Sequence, residues 1–138
     1  MPVSDFWTRR AAALPDAVAP DGSEVRLLWA MPRGSMALFT LAPGAVSRAV
    51  AHRSVEEIWY FTRGHGRMWR QDATREEIVE IGPGLSIAIP AGTRFQFCSD
   101  SEEAIEAVGV TMPPWPGMDE AYVVEGIWPA TFDAGDAG

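Results

Sequence analysis

A chain of 138 residues with 47% apolar and 10% aromatic content can bury a core of its own, which excludes a disordered segment. Its formal net charge is -8 and its eleven cations are all arginines, without a basic stripe. Nucleic acid and anionic membrane surfaces are therefore not expected partners, and the lack of lysine excludes Schiff-base chemistry. In chain order, residues 4–14 (SDFWTRRAAAL) read as a short helix capped at Ser4 or Asp5 and limited by Pro15. The apolar run after Arg9 and Arg10 is broken by Pro15 and Asp16, so neither a signal peptide nor a membrane span is expected. Asp21-Gly22 then marks a turn.

Strands follow in close succession. They are read at 24–31, 35–41, 45–52, 56–63, 66–71, 76–81, 85–89, 94–98 and 104–112, separated by Gly- and Pro-rich turns such as Gly82-Pro83-Gly84. Short strands at this spacing define an all-β barrel or sandwich. The expected organisation is an N-terminal helix and first strand at 1–34, a barrel at 35–112, and an extended tail at 113–138. The tail is rich in Pro and Trp, and its last residues, DAGDAG, are expected to be disordered. A single cysteine, Cys98, allows no intrachain disulfide and lies in an apolar strand, so a buried inert thiol and a cytoplasmic location are expected.

Two stretches carry the chemistry. Gly44 to Gly64 reads as a hairpin, two strands with a turn between them, bearing His52 and the adjacent Glu56 and Glu57. Gly84 to Ser99 holds a Pro90-x-Gly92 turn, with Phe95 three residues beyond it. In glycine positions and spacing these stretches resemble the two motifs of the cupin superfamily. The resemblance implies a cupin barrel, that is, a double-stranded β-helix or jelly roll, with the motif side chains pointing inward. It also implies a four-ligand metal site, and there the sequence departs. Val50 replaces the first histidine, Phe95 the last, and Ser99 stands where the family has Asn. Of the implied ligands only His52 and Glu57 remain, and two ligands hold a metal weakly. No cofactor is therefore expected; the alternative is a divalent metal on His52 and Glu57.

Period two extends each motif residue along its strand. Arg48, Val50 and His52 share a face, as do Glu57, Trp59 and Phe61, and Phe95 and Phe97. With Met112 at the end of the last strand, these residues are the expected lining of an apolar cavity for a small-molecule ligand. His52 and Glu57 are the candidate catalytic residues: a carboxylate beside one ring nitrogen fixes the tautomer and raises the basicity of the other. A pair that only ties two strands together is equally compatible with the sequence. Three functions stay open. The chain is an isomerase- or cyclase-type enzyme acting on a hydrophobic or aromatic metabolite in secondary metabolism, a non-catalytic binding module, or a dioxygenase-like metal enzyme with a depleted site. The aromatic tail and open sheet edges point to a homodimer.

Overall fold

The computed structural model describes residues 7–132. All its strands pair antiparallel, in two sheets. β1 (Ala17–Val18), β2 (Glu24–Met31), β3 (Gly34–Leu41), β5 (Glu56–Arg63), β8 (Ser86–Ile89) and β10 (Ile105–Met112) form the first, in the order β1-β2-β3-β10-β5-β8. β4 (Val50–His52), β6 (Gly66–Gln71), β7 (Glu76–Ile81), β9 (Arg94–Ser99) and β11 (Ala121–Val123) form the second, in the order β11-β4-β9-β6-β7. Alternation drives the burial. Along β5, Glu57, Trp59 and Phe61 are buried while Glu56, Ile58 and Tyr60 are exposed. The inner faces of the two sheets meet in one core that includes Leu41, Phe61, Met68, Phe97 and Ile105.

Three expectations are corrected. Residues 7–14 run without helix, and residues 4–6 lie outside the described residues. In place of intrahelical bonds, the carbonyls of Ala12 and Ala13 accept from the Arg26 guanidinium, at 3.0 and 3.1 Å. Arg9 and Trp7 are held against Trp29 instead, the guanidinium carbon 4.2 Å from the indole centroid and the two indole centroids 5.5 Å apart. Second, the strand read at 45–52 is regular only from Val50; before it the chain makes a single bridge, Val46 to Cys98. Third, β4 and β5 are not a hairpin, for they lie in different sheets and the turn between them is a corner. The DAGDAG end lies outside the described residues.

Two glycines set the close approaches. Gly64 turns from β5 into β6 at φ +84°, and a Cβ there would meet the Ala104 carbonyl oxygen at 2.6 Å. Gly109 on β10 lies under the Phe39 ring, which occupies the space a Cβ would need. That bare backbone lets Phe39 lie flat and stack on Trp59, ring centroids 5.0 Å apart.

The tail wraps its own barrel. β11 pairs with β4, placing Ala121 opposite His52. The Gln96 side chain accepts from the backbone N–H groups of Ile127 and Trp128 and donates to the Trp128 carbonyl. Thr131 bonds both backbone groups of Val46.

Candidate active site

A cavity of about 600 Å³ opens inside the barrel, with Val50, His52, Glu57, Trp59 and Phe95 among its walls. β4 ends on His52, whose carbonyl accepts from the Gly92 N–H of the second motif's turn at 2.8 Å. The imidazole lies edge-on between Phe95 and Trp115, ring centroids 5.3 and 5.4 Å away. Its Nδ1 is 3.5 Å from Glu57 Oε1, too far for a hydrogen bond, and it has no hydrogen-bond partner.

The contact is not an ion pair. Burial lowers the His52 pKa to about 4, although the charge of Glu120 pulls the other way. Burial raises Glu57 to about 8, with the charges of Asp21 and Glu120 adding to it and a bond from Trp59 Nε1 to Oε1 opposing it. At neutral pH the site therefore holds a neutral imidazole beside a neutral carboxylic acid. Oε1 is taken up as the acceptor from Trp59, at 3.2 Å, which leaves Oε2 to carry the acid proton.

A third acid stands behind them. Glu120 comes from the tail and is buried. Burial alone would raise its pKa, but bonds from the Ser54 N–H (2.7 Å), the Ser54 hydroxyl (2.7 Å) and the Val55 N–H (2.9 Å) hold it below the ordinary value. It is the fixed negative charge of the site.

Four expected lining residues lie elsewhere. Arg48 precedes the regular part of β4, so period two does not carry it inward; its Nη1 bonds the Pro20 carbonyl at 3.2 Å and its Nη2 is buried without a partner. Phe61 and Phe97 lie behind Trp59, at 5.9 and 5.3 Å between ring centroids, and fill the closed end of the barrel. Met112 is on the alternate face of β10, and its neighbour Thr111 faces the cavity instead. Trp69 is buried outside the cavity, its Nε1 bonded to Glu76. His65 is exposed in its turn.

Sequence reasoning missed Asp21, Phe39, Thr111 and Ser35, all in the cavity wall. Asp21 was legible only as a turn residue. Thr111 follows from period two once the inward phase of β10 is fixed by Ala107. The Ser35 hydroxyl pairs with that of Thr111 and accepts from the Trp115 N–H at 3.1 Å, which seats the indole over His52.

The donor set does not fit the metal centre that the motifs imply. Val50 and Phe95, each 1% exposed, occupy two of the four ligand positions with hydrocarbon. Among the described residues, no group of three or more His, Cys, Asp or Glu is placed to share an ion. No helix among them is long and apolar enough to cross a membrane.

A family model described as "Cupin domain" matches residues 37–111, more than half of the chain, and the protein belongs to the cupin family. Comparison with curated protein sequences gives no match. Among solved structures, oxalate decarboxylase from Bacillus subtilis aligns with a TM-score of 0.71 at 19% identity, over 89% of this chain and 34% of that one. Streptomyces PAC13 with uridine aligns at 0.66 and 15% identity, over 89% of this chain and 95% of that one. KdgF from Halomonas sp. aligns at 0.60 and 16% identity, over 69% and 82%. At these identities the likeness is one of fold.

Proposed function

We propose that this cupin is a metal-independent enzyme of the isomerase or cyclase type, moving a proton within a hydrophobic or aromatic small molecule. The observation that carries this reading is the neutral acid and neutral base side by side in one apolar cavity. The neutral imidazole of His52 takes a proton from a carbon beside a carbonyl. Glu57 gives its proton to the carbonyl oxygen, and an enol forms. Return of a proton to a second carbon, with the enol proton passing back to Glu57, completes an isomerisation with no net change in protons. Trp59 positions the Glu57 carboxyl through its indole N–H.

The test is incubation with any co-purified ligand in deuterated water, followed by mass spectrometry and NMR. Deuterium in the ligand or a rearranged product supports the reading. A ligand that binds and stays chemically unchanged identifies a binding module instead. A stoichiometric metal lost on His52→Ala identifies a depleted metal enzyme.

A homodimer is part of the same proposal. On the outer face of the first sheet, Ala88, Ile58, Val110 and Met36 form one cross-strand row and Ser86, Tyr60, Val108 and Leu38 the next. Across these four strands neither row contains a charge, and the second continues on β2 to a cation, Arg26, while the chain carries -8. A second copy, repelled elsewhere, meets least repulsion at this face. A monomeric mass at micromolar concentration would remove the dimer.

A further inference from the structure

The inner face of the first sheet carries one polar row. Thr111 on β10 is the cross-strand partner of both Ser35 on β3 and Glu57 on β5, and all three line the cavity. The next row toward the closed end, Ala37, Gly109, Trp59 and Ile87, holds no hydroxyl and no charge. The proton transfer assigned to His52 and Glu57 makes no use of the two hydroxyls.

Their hydrogens can be counted. One hydroxyl donates to the other, and Ser35 Oγ also accepts from the Trp115 N–H at 3.1 Å. Whichever of them donates, the other keeps its own hydrogen. If that hydrogen is on Thr111, its one acceptor among the described residues is the Ser35 carbonyl at 3.5 Å, the outer limit of a hydrogen bond. If it is on Ser35, it has none among them. In either arrangement Thr111 Oγ1 also retains a lone pair. Thr111 is 5% exposed, so one donor and one acceptor are left for whatever the cavity holds. Both are uncharged. Arg9, the one arginine in the wall, donates to the Leu28 carbonyl at 2.8 Å and lies over the Trp29 ring, so it is not free to meet an anion.

We infer that Ser35 and Thr111 are the specificity-determining pair of this cavity. On the catalytic reading above, the substrate then carries a second uncharged oxygen, a hydroxyl or a carbonyl, on a carbon two or three removed from the carbonyl that meets Glu57. Directly opposed strand residues have Cβ atoms about 4.5–5.5 Å apart, and oxygens borne on carbons so separated span a similar distance. A site that hydrogen-bonds a substrate oxygen rejects the analogue lacking it, because its buried polar groups are then left unpaired.

The test compares two ketones by calorimetry, 4-hydroxy-4-phenylbutan-2-one and 4-phenylbutan-2-one, which differ in one hydroxyl on the carbon two removed from the carbonyl. The hydroxy ketone is expected to bind at least about tenfold more tightly. Ser35→Ala with Thr111→Val should remove the preference while 4-phenylbutan-2-one still binds, which also reports that the variant is folded. Either single variant leaves one hydroxyl hydrogen and should keep part of the preference. A pair that served only to seat Trp115 would weaken both ketones alike and leave their ratio unchanged. Equal affinities, tighter binding of 4-phenylbutan-2-one, a ratio unchanged in the double variant, or no binding of either ketone up to about 10 mM would overturn the inference. Exchange of the α-hydrogens of the same ketones in deuterated water, read by NMR, reports the catalytic reading separately. Exchange without a preference removes the second oxygen and leaves the His52 and Glu57 roles standing. A preference without exchange keeps the recognition pair and removes the enzyme.

Discussion

Val50 on β4 and Phe95 on β9 are direct cross-strand partners, and together they fill half of the family's ligand set with hydrocarbon. Their neighbours His52 and Glu57 keep the other half. The double substitution Val50→His with Phe95→His should therefore return four donors to one point. The expected outcome is a stoichiometric divalent metal, read by elemental analysis, with the parent protein as reference. A double variant that folds and binds metal no better than the parent would show that the four positions no longer converge.

His52→Ala should lower turnover on the identified ligand about a hundredfold or more, with the circular dichroism spectrum unchanged. Glu57→Gln keeps the size of the side chain and removes its proton, so a similar loss is expected. Near-normal turnover in either variant would reduce the pair to a strand contact.

Stability should depend on pH with a sign set by the same two groups. Glu57 binds a proton in the native state up to about 8 but in the unfolded chain only up to about 4.5, so its contribution is lost as pH rises between those values. His52 is unprotonated in the native state down to about 4 and in the unfolded chain down to about 6.5, so stability rises with pH over that window. The two slopes oppose each other from about 4.5 to 6.5. From about 6.5 to 8 only Glu57 of the pair acts, and stability should fall by at most about 1.4 kcal/mol per pH unit. Urea unfolding at a series of pH values measures it. Glu57→Gln should flatten the fall over that window.

Glu120→Gln should loosen the tail. Its carboxylate accepts three bonds from Ser54 and Val55, and an amide keeps the shape but loses the charge assistance. A cost of about 1–3 kcal/mol is expected in chemical unfolding. Amide exchange should rise first at Ala121–Val123, the strand that Glu120 precedes. Uniform exchange across the barrel would show that the tail and the sheet open together.

Gly109→Ala should displace Phe39, whose ring occupies the space of the new methyl group. Overpacking of this kind costs about 1–3 kcal/mol, and the Phe39–Trp59 stack is its first casualty. A shift in tryptophan fluorescence of Trp59, read against a Trp59→Phe control, follows the displacement.

Most of the fold could be read from the sequence because alternation and turn chemistry are local. The bounds of β2, β5, β6 and β7 coincide with the sequence reading, since each is a run of period-two residues closed by Gly, Pro or Asp. β1 and β11 were not legible. Two or three residues hold no periodicity, and these strands exist only because β2 and β4 offer open edges. At the site, His52, Glu57, Val50 and Phe95 were visible through motif spacing, and Trp59 through alternation from it. Arg48 failed because alternation was carried past the start of a strand. Asp21 and Glu120 were invisible for a different reason. Each reaches the site from a segment distant in sequence, and no local pattern records what a loop or a tail will cover.

The match to the cupin family ends at Thr111, four residues before the indole that sits over His52. A domain trimmed to that boundary would keep both motifs and both candidate catalytic side chains. It would lose Trp115, the Glu120 charge, the edge strand beside His52 and the segment gripped by Gln96. The two motifs of the candidate site lie within the part of the chain that matches the family; Trp115 and Glu120 lie beyond it.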